Sequence, residues 1–161
     1  VPMIKRTYIQ AKMSEMLSDL VVATDDERIF DHVREFGGEV LMTSGQHLNG
    51  TTRCNEVISI LHKIGEKFDI VVNIQGDEPL VLPSDLERLI QQAHNTEGTK
   101  SATLIYKITD ESMLHDPNIV KVTLNRKKQA LFMIFAQFDQ ILASFTSFNA
   151  FYANSSAQNV Q

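Results

Sequence analysis

Gln75-Gly76-Asp77-Glu78-Pro79 brings an amide, two carboxylates and two residues that interrupt regular backbone into one short run. It follows the apolar residues Ile70, Val71, Val72 and Ile74, which read as a buried parallel strand. Pro79 cannot continue a strand ladder. Gly76 lets the backbone turn tightly and lets a ligand come close. Ligands of open α/β sheets bind just beyond the carboxyl ends of the strands, so Gln75, Asp77 and Glu78 fall where one would sit. Asp77 offers the hard oxygen that Mg²⁺ takes, and that ion usually joins one or two carboxylates to substrate phosphates. A polar turn capped by an acid is the alternative reading of the same residues.

A second constellation is Asn49-Gly50-Thr51-Thr52-Arg53, which closes a polar loop over 43–49 and opens a helix. Backbone N–H groups at such a helix start suit anionic or carbonyl acceptors. An ordinary loop-to-helix transition, with Thr51 or Thr52 as cap and Arg53 solvated, explains the pattern equally well. His47 reads as a surface loop residue. His32, His62, His94 and His115 lack metal-ligand spacing and are assigned no chemistry. Thr24-Asp25-Asp26 reads as helix capping, because an acid is favourable at a helix N-terminus. Cys54 lies within a helix pattern and reads as a packed thiol rather than a nucleophile.

Alternating patterns must position these residues. Apolar spacing predicts helices over 4–17, from the Thr24-Asp25-Asp26 cap to Gly37-Gly38, over 51–64 and over 83–94. Strands are expected over 20–23, 39–42, 70–75 and 101–108. A short helical turn over 110–114 precedes two strands, 120–124 and 130–135, joined by the solvated basic turn Arg126-Lys127-Lys128. Strands alternating with amphipathic helices imply an α/β fold with a doubly wound, mostly parallel sheet. Residues 137–161 show no sustained period and are expected to form a weakly ordered tail after a domain over 1–136, with a short helix near 141–145. The segment 132–138 fits a buried strand or an aggregation-prone exposed one, and the buried strand is preferred.

The chain has 161 residues, 43% of them hydrophobic and 22% charged, enough for one globular domain with a sizeable core. A net charge of −5 argues against nonspecific nucleic-acid binding, which needs phosphate-neutralising basic surface. One cysteine excludes an internal disulfide and suits a reducing, cytoplasmic setting. No apolar run is long enough to span a membrane. Val1-Pro2-Met3 lacks a signal-peptide pattern, and organellar targeting cannot be read from this N-terminus.

Several of these motifs occur together in one family. Val21-Val22-Ala23-Thr24-Asp25-Asp26, Gly37-Gly38-Glu39-Val40-Leu41-Met42-Thr43, His47, Asn49 to Arg53 and Val72 to Pro79 stand in unbroken order. Asn118, Val120-Lys121-Val122 and Ala130-Leu131-Phe132 extend the match. With them the chain resembles 3-deoxy-manno-octulosonate (Kdo) cytidylyltransferase, or CMP-Kdo synthetase, of the plant-like type, as a truncated or divergent member. The resemblance implies transfer of CMP from CTP to the anomeric hydroxyl of Kdo with release of pyrophosphate, assisted by Mg²⁺. It implies that Asp77 is the metal ligand and that Gln75, beside Gly76, contacts sugar or nucleotide. It further implies that the loop containing Thr43, His47, Asn49, Gly50 and Thr51 holds cytosine, and that Arg53 supports the loop or the phosphates. CTP and Kdo are then the small-molecule partners, and a homodimer is possible.

The resemblance also marks departures. Family members open with a strand and a basic, glycine-containing loop, and this chain starts at the segment just after them. Ile134-Phe135 stands where the family has a Ser-Arg pair, and Thr52 stands where an acidic residue is usual. The sheet is therefore expected to lack its first strand and the C-terminal part of the fold, and turnover is expected to be impaired. A noncatalytic nucleotide-binding or oligomer-modulating fragment is the alternative, and a relative acting on another sugar, such as sialic acid, is a third reading.

Overall fold

The computed structural model describes residues 1–127, 129–134 and 151–154. They divide into two compact units, Val1–Glu87 and Arg88–Gln161. The first unit begins with helix α1 (Met3–Lys12), followed by strand β1 (Val21–Thr24), helix α2 (Glu27–Glu35) and strand β2 (Glu39–Met42). Helix α3 (Gly50–Lys63) comes next, and helix α4 (Pro83–Asn95) carries the chain into the second unit. Strands β1 and β2 pair in parallel, Val21 opposite Glu39 and Thr24 opposite Met42. The Thr43 N–H extends this pairing by donating to the Thr24 carbonyl at 2.8 Å.

Local chemistry explains why α2 has the bounds it has. The Asp26 side chain accepts from the Arg28 N–H at 2.8 Å, so the expected acidic cap is in place. At the other end Gly37 takes φ 77°. The Gly37 N–H returns to the Arg34 carbonyl and the Gly38 N–H to the Val33 carbonyl, which satisfies two carbonyls the helix leaves open. Helix α2 packs on both strands, and Val33 is fully buried. Helix α1 meets α2 through Tyr8 and Phe36, whose rings stand edge to face with centroids 5.4 Å apart. The Tyr8 hydroxyl also accepts from the Glu39 N–H at 3.3 Å, which ties α1 to the start of β2.

Helix α1 stops short of the expected residue 17. Met13 and Ser14 bond back by three residues instead of four, and the Met16 N–H then turns to the Ser14 hydroxyl. The larger correction concerns 70–75, which forms no strand. Among the described residues β1 pairs only with β2, and no ladder reaches 70–75. Burial along it still alternates, with Ile70, Val72 and Ile74 half-buried between exposed Val71, Asn73 and Gln75. The period is that of a strand. Apolar composition supplies the pattern, and only a neighbouring backbone could supply the ladder.

In the second unit, strand β3 (Ala102–Ile105) pairs in parallel with strand β6 (Phe151–Asn154). Helix α5 (Ser112–His115) follows β3, and strands β4 (Lys121–Leu124) and β5 (Ala130–Ile134) form an antiparallel hairpin. The Asn125 carboxamide shapes its turn, accepting from the Lys127 and Gln129 N–H groups at 2.8 and 2.9 Å. Arg126 and Lys127 are exposed there, as expected of a solvated turn. Strand β6 lies in the stretch read as a weakly ordered tail, where no periodicity announces it. The expected helix near 141–145 and residues 135–138 of the expected strand 132–138 lie outside the described residues. The architecture is α/β with mostly parallel pairing, the strands described forming three two-stranded sheets.

Candidate functional site

The loop 43–49 leaves the C-terminal end of β2 and enters α3 through Asn49. The Asn49 side chain accepts from the Thr52 N–H at 2.9 Å, and the Thr52 hydroxyl donates to the Asn49 carbonyl at 3.0 Å. The cap is therefore Asn49, neither Thr51 nor Thr52, and Thr51 is exposed on the first turn. An exposed start with a satisfied cap leaves this turn free to face a ligand.

Arg53, one turn into α3, is the hub of the loop. Its Nη1 donates to the Thr43 hydroxyl at 2.6 Å and to the Ser44 carbonyl at 3.3 Å, while Nη2 pairs with Asp25 at 3.0 Å. Its side chain is 18% exposed, so the solvated alternative is set aside. Asp25 lies just past the end of β1 and does not cap α2, because Asp26 does. Glu56 accepts from the Ser44 N–H at 3.0 Å and also bonds to the His47 Nε2. His47 is thus engaged and largely covered, not a free surface residue. The hydrogen bonds from His47 and Ser44 hold the Glu56 carboxyl below its usual range, against a small opposing effect of burial, with Arg53 adding attraction.

The turn 75–78 approaches the same helix start. A Cβ placed on Gly50 would stand 3.6 Å from both terminal atoms of the Gln75 carboxamide and 3.8 Å from the Asn73 amide nitrogen. The Glu78 N–H closes the turn on the Gln75 carbonyl at 3.1 Å. Buried Thr7, on α1, fixes it from behind by donating to the Gly76 carbonyl at 3.0 Å. Gly76 does not use a positive φ, and the close neighbour it admits is Ile4 at 3.4 Å from a built Cβ. Asp77 and Glu78 are exposed on the outer side of this turn. The half-buried Cys54 thiol donates to Asn73 at 3.5 Å, and partial burial raises its pKa.

The structure therefore joins Thr43, His47, Asn49, Gly50, Arg53 and Gln75 around the N-terminus of α3, with Asp77 two residues further along the exposed turn. Among the described residues, no group of three or more His, Cys, Asp or Glu side chains is arranged to hold a metal. Two participants escaped the sequence reading, Asp25 and Glu56. Glu56 follows Arg53 by three residues, which places both on one face of α3, and that spacing was the available signal.

A family model described as cytidylyltransferase matches residues 1–155. The chain belongs to the cytidylyltransferase family. A relative from Parabacteroides distasonis, 3-deoxy-manno-octulosonate cytidylyltransferase, is 44% identical over 135 residues, covering 81% of this chain and 51% of that protein. An 8-amino-3,8-dideoxy-manno-octulosonate cytidylyltransferase from Shewanella pealeana is 42% identical over 132 residues, covering 81% and 53%. A solved structure of CMP:2-keto-3-deoxy-manno-octonic acid synthetase complexed with CTP superposes with a TM-score of 0.76 at 34% identity. That match covers 87% of this chain and 56% of the other. This cytidylyltransferase-family chain spans about half the length of the relatives it matches. No helix among its described residues is long and apolar enough to cross a membrane.

Proposed function

We propose that this chain serves CMP transfer from CTP to 3-deoxy-manno-octulosonate. The sugar's anomeric hydroxyl oxygen attacks the α-phosphorus, the bond from that phosphorus to the β-phosphate bridging oxygen breaks, pyrophosphate leaves and the hydroxyl proton is released. The supporting observation is the meeting of Gln75 with Gly50 at the start of α3, where the loop and the turn converge. Backbone groups of the loop and the first turn of α3 hold the cytosine, and Gln75 orients sugar or nucleotide beside it. Arg53 acts by keeping the loop in place, since its Nη1 and Nη2 are engaged by Thr43, Ser44 and Asp25.

Asp77 is exposed on a turn that presents no second clustered ligand set among the described residues. The exposed Asp77 and Glu78 carboxylates offer hard oxygens to an ion that completes its shell with substrate phosphates and water, as Mg²⁺ does. When bound, Mg²⁺ supplies charge neutralisation on the phosphate oxygens. Asp77 is the residue that would hold it. The Shewanella relative carries an 8-amino sugar in its name at nearly the same identity, so the acceptor is a manno-octulosonate in either form.

The test is pyrophosphate release with CTP, Mg²⁺ and either Kdo or its 8-amino analogue, run beside the Parabacteroides relative. Release that depends on the octulosonate, is weaker than that of the relative and is abolished in Asp77→Asn is the expected result. Saturable CTP binding without release would select the noncatalytic nucleotide-binding reading. Neither binding nor release would overturn the proposal.

A further inference from the structure

One oxygen of Glu56 serves two partners on the same loop. Its Oε2 accepts from the backbone N–H of Ser44, near the loop's start, and bonds the Nε2 of His47, three residues further on. Its side chain is 31% exposed and that of His47 19%. Arg53 holds the other side of the loop's start, through Thr43 and the Ser44 carbonyl, and is itself neutralised by Asp25. Ser44 is therefore fixed at both backbone polar groups, its carbonyl by Arg53 and its N–H by Glu56. Leu48, near the loop's end, is 96% accessible and adds no packing there. Hydrogen bonds hold the loop's start.

We propose that Glu56 is a positioning residue that fixes the conformation of the loop 43–49 and through it the affinity for the nucleotide. A loop held in its binding conformation spares the ligand the cost of ordering it. The nucleotide half of this inference rests on the reading that the loop receives cytosine. Glu56 itself faces the protein's own loop on both of its bonds.

Amide hydrogen exchange and CTP calorimetry on the whole chain test it, with Glu56→Ala and Glu56→Gln. A glutamine oxygen can accept from both partners, so Glu56→Gln retains the wild-type behaviour. Glu56→Ala loses about tenfold or more in Ser44 amide protection while Gly38, bonded to Val33 in α2, keeps its protection. CTP affinity in Glu56→Ala falls by about tenfold, the scale of one charge-assisted hydrogen bond. Unchanged Ser44 protection would overturn the inference. So would an equal loss at Gly38, which signals general unfolding, or CTP affinity unaltered by alanine. If the wild-type chain takes up no CTP, the cytosine reading is what fails, and Ser44 exchange then decides the role of Glu56 in the loop.

Discussion

Replacing Arg53 by alanine should destabilise the first unit by about 2–3 kcal/mol, a figure built from what each bond leaves behind. Thr43 is 6% exposed, and its hydroxyl accepts from Arg53 at 2.6 Å. Removing the guanidinium orphans that buried oxygen, which costs about 1–2 kcal/mol. Asp25 is 41% exposed, so its lost ion pair is screened by water and adds about 0.5 kcal/mol. The remainder is lost packing of the arginine side chain, which is only 18% exposed. The effect corresponds to a fall in Tm of about 10 °C for a domain of this size. Urea denaturation followed by circular dichroism measures it. Lysine at position 53 can still meet Asp25 but has no planar fork for Thr43 and Ser44, so Arg53→Lys should recover less than half of the loss. A double-mutant cycle with Thr43→Val isolates the buried bond and should give a coupling of about 1 kcal/mol. Strict additivity of the two changes, or an Arg53→Ala chain within about 0.5 kcal/mol of wild type, would refute the reasoning.

Two further outcomes follow from α2. A methyl group at Gly38 would lie 2.6 Å from the Phe36 ring and 2.8 Å from Val33, which is fully buried, so Gly38→Ala should cost about 2–3 kcal/mol. Gly37→Ala meets nothing within 4 Å and suffers only from its φ of 77°, at about 1 kcal/mol, so thermal melts should rank Gly38→Ala as the worse change. The Asp26 carboxyl is drawn from 3.8 to about 2, chiefly by its hydrogen bonds from Arg28. A depressed carboxyl stabilises above its unfolded value and loses that contribution as pH falls through the folded one, so the stabilisation should fade between about pH 4 and pH 2. Urea midpoints of Asp26→Asn should depend less on pH than wild type in that window, and equal slopes would argue against the cap.

What the sequence disclosed, and what it withheld, divides by the range of the interaction involved. Asp26 and Gly37 act on neighbours within a few residues, so the start and end of α2 were legible from residue type alone. The hairpin turn at Arg126 and Lys127 was legible for the same reason, its geometry being set by Asn125 next door. The segment 70–75 failed at the next range. Its alternating burial follows from its own residues, but a strand exists only when another backbone lies beside it. Strand β6 is the converse, a stretch without internal pattern that pairs because β3 is there. The candidate site shows the same division. Gly50, Gln75 and Asp77 could be singled out because a glycine at a helix start and an acid after an apolar run have local meaning. Asp25 and Glu56 were missed because their meaning is the loop they face. Two adjacent aspartates precede α2 and only one can accept from its first turn, so Asp25 was available to Arg53 from across the sheet end. Spacing could show that Glu56 shares a helix face with Arg53. Which surface that face meets is set by how β1, β2 and α3 pack, and there the loop 43–49 receives both side chains.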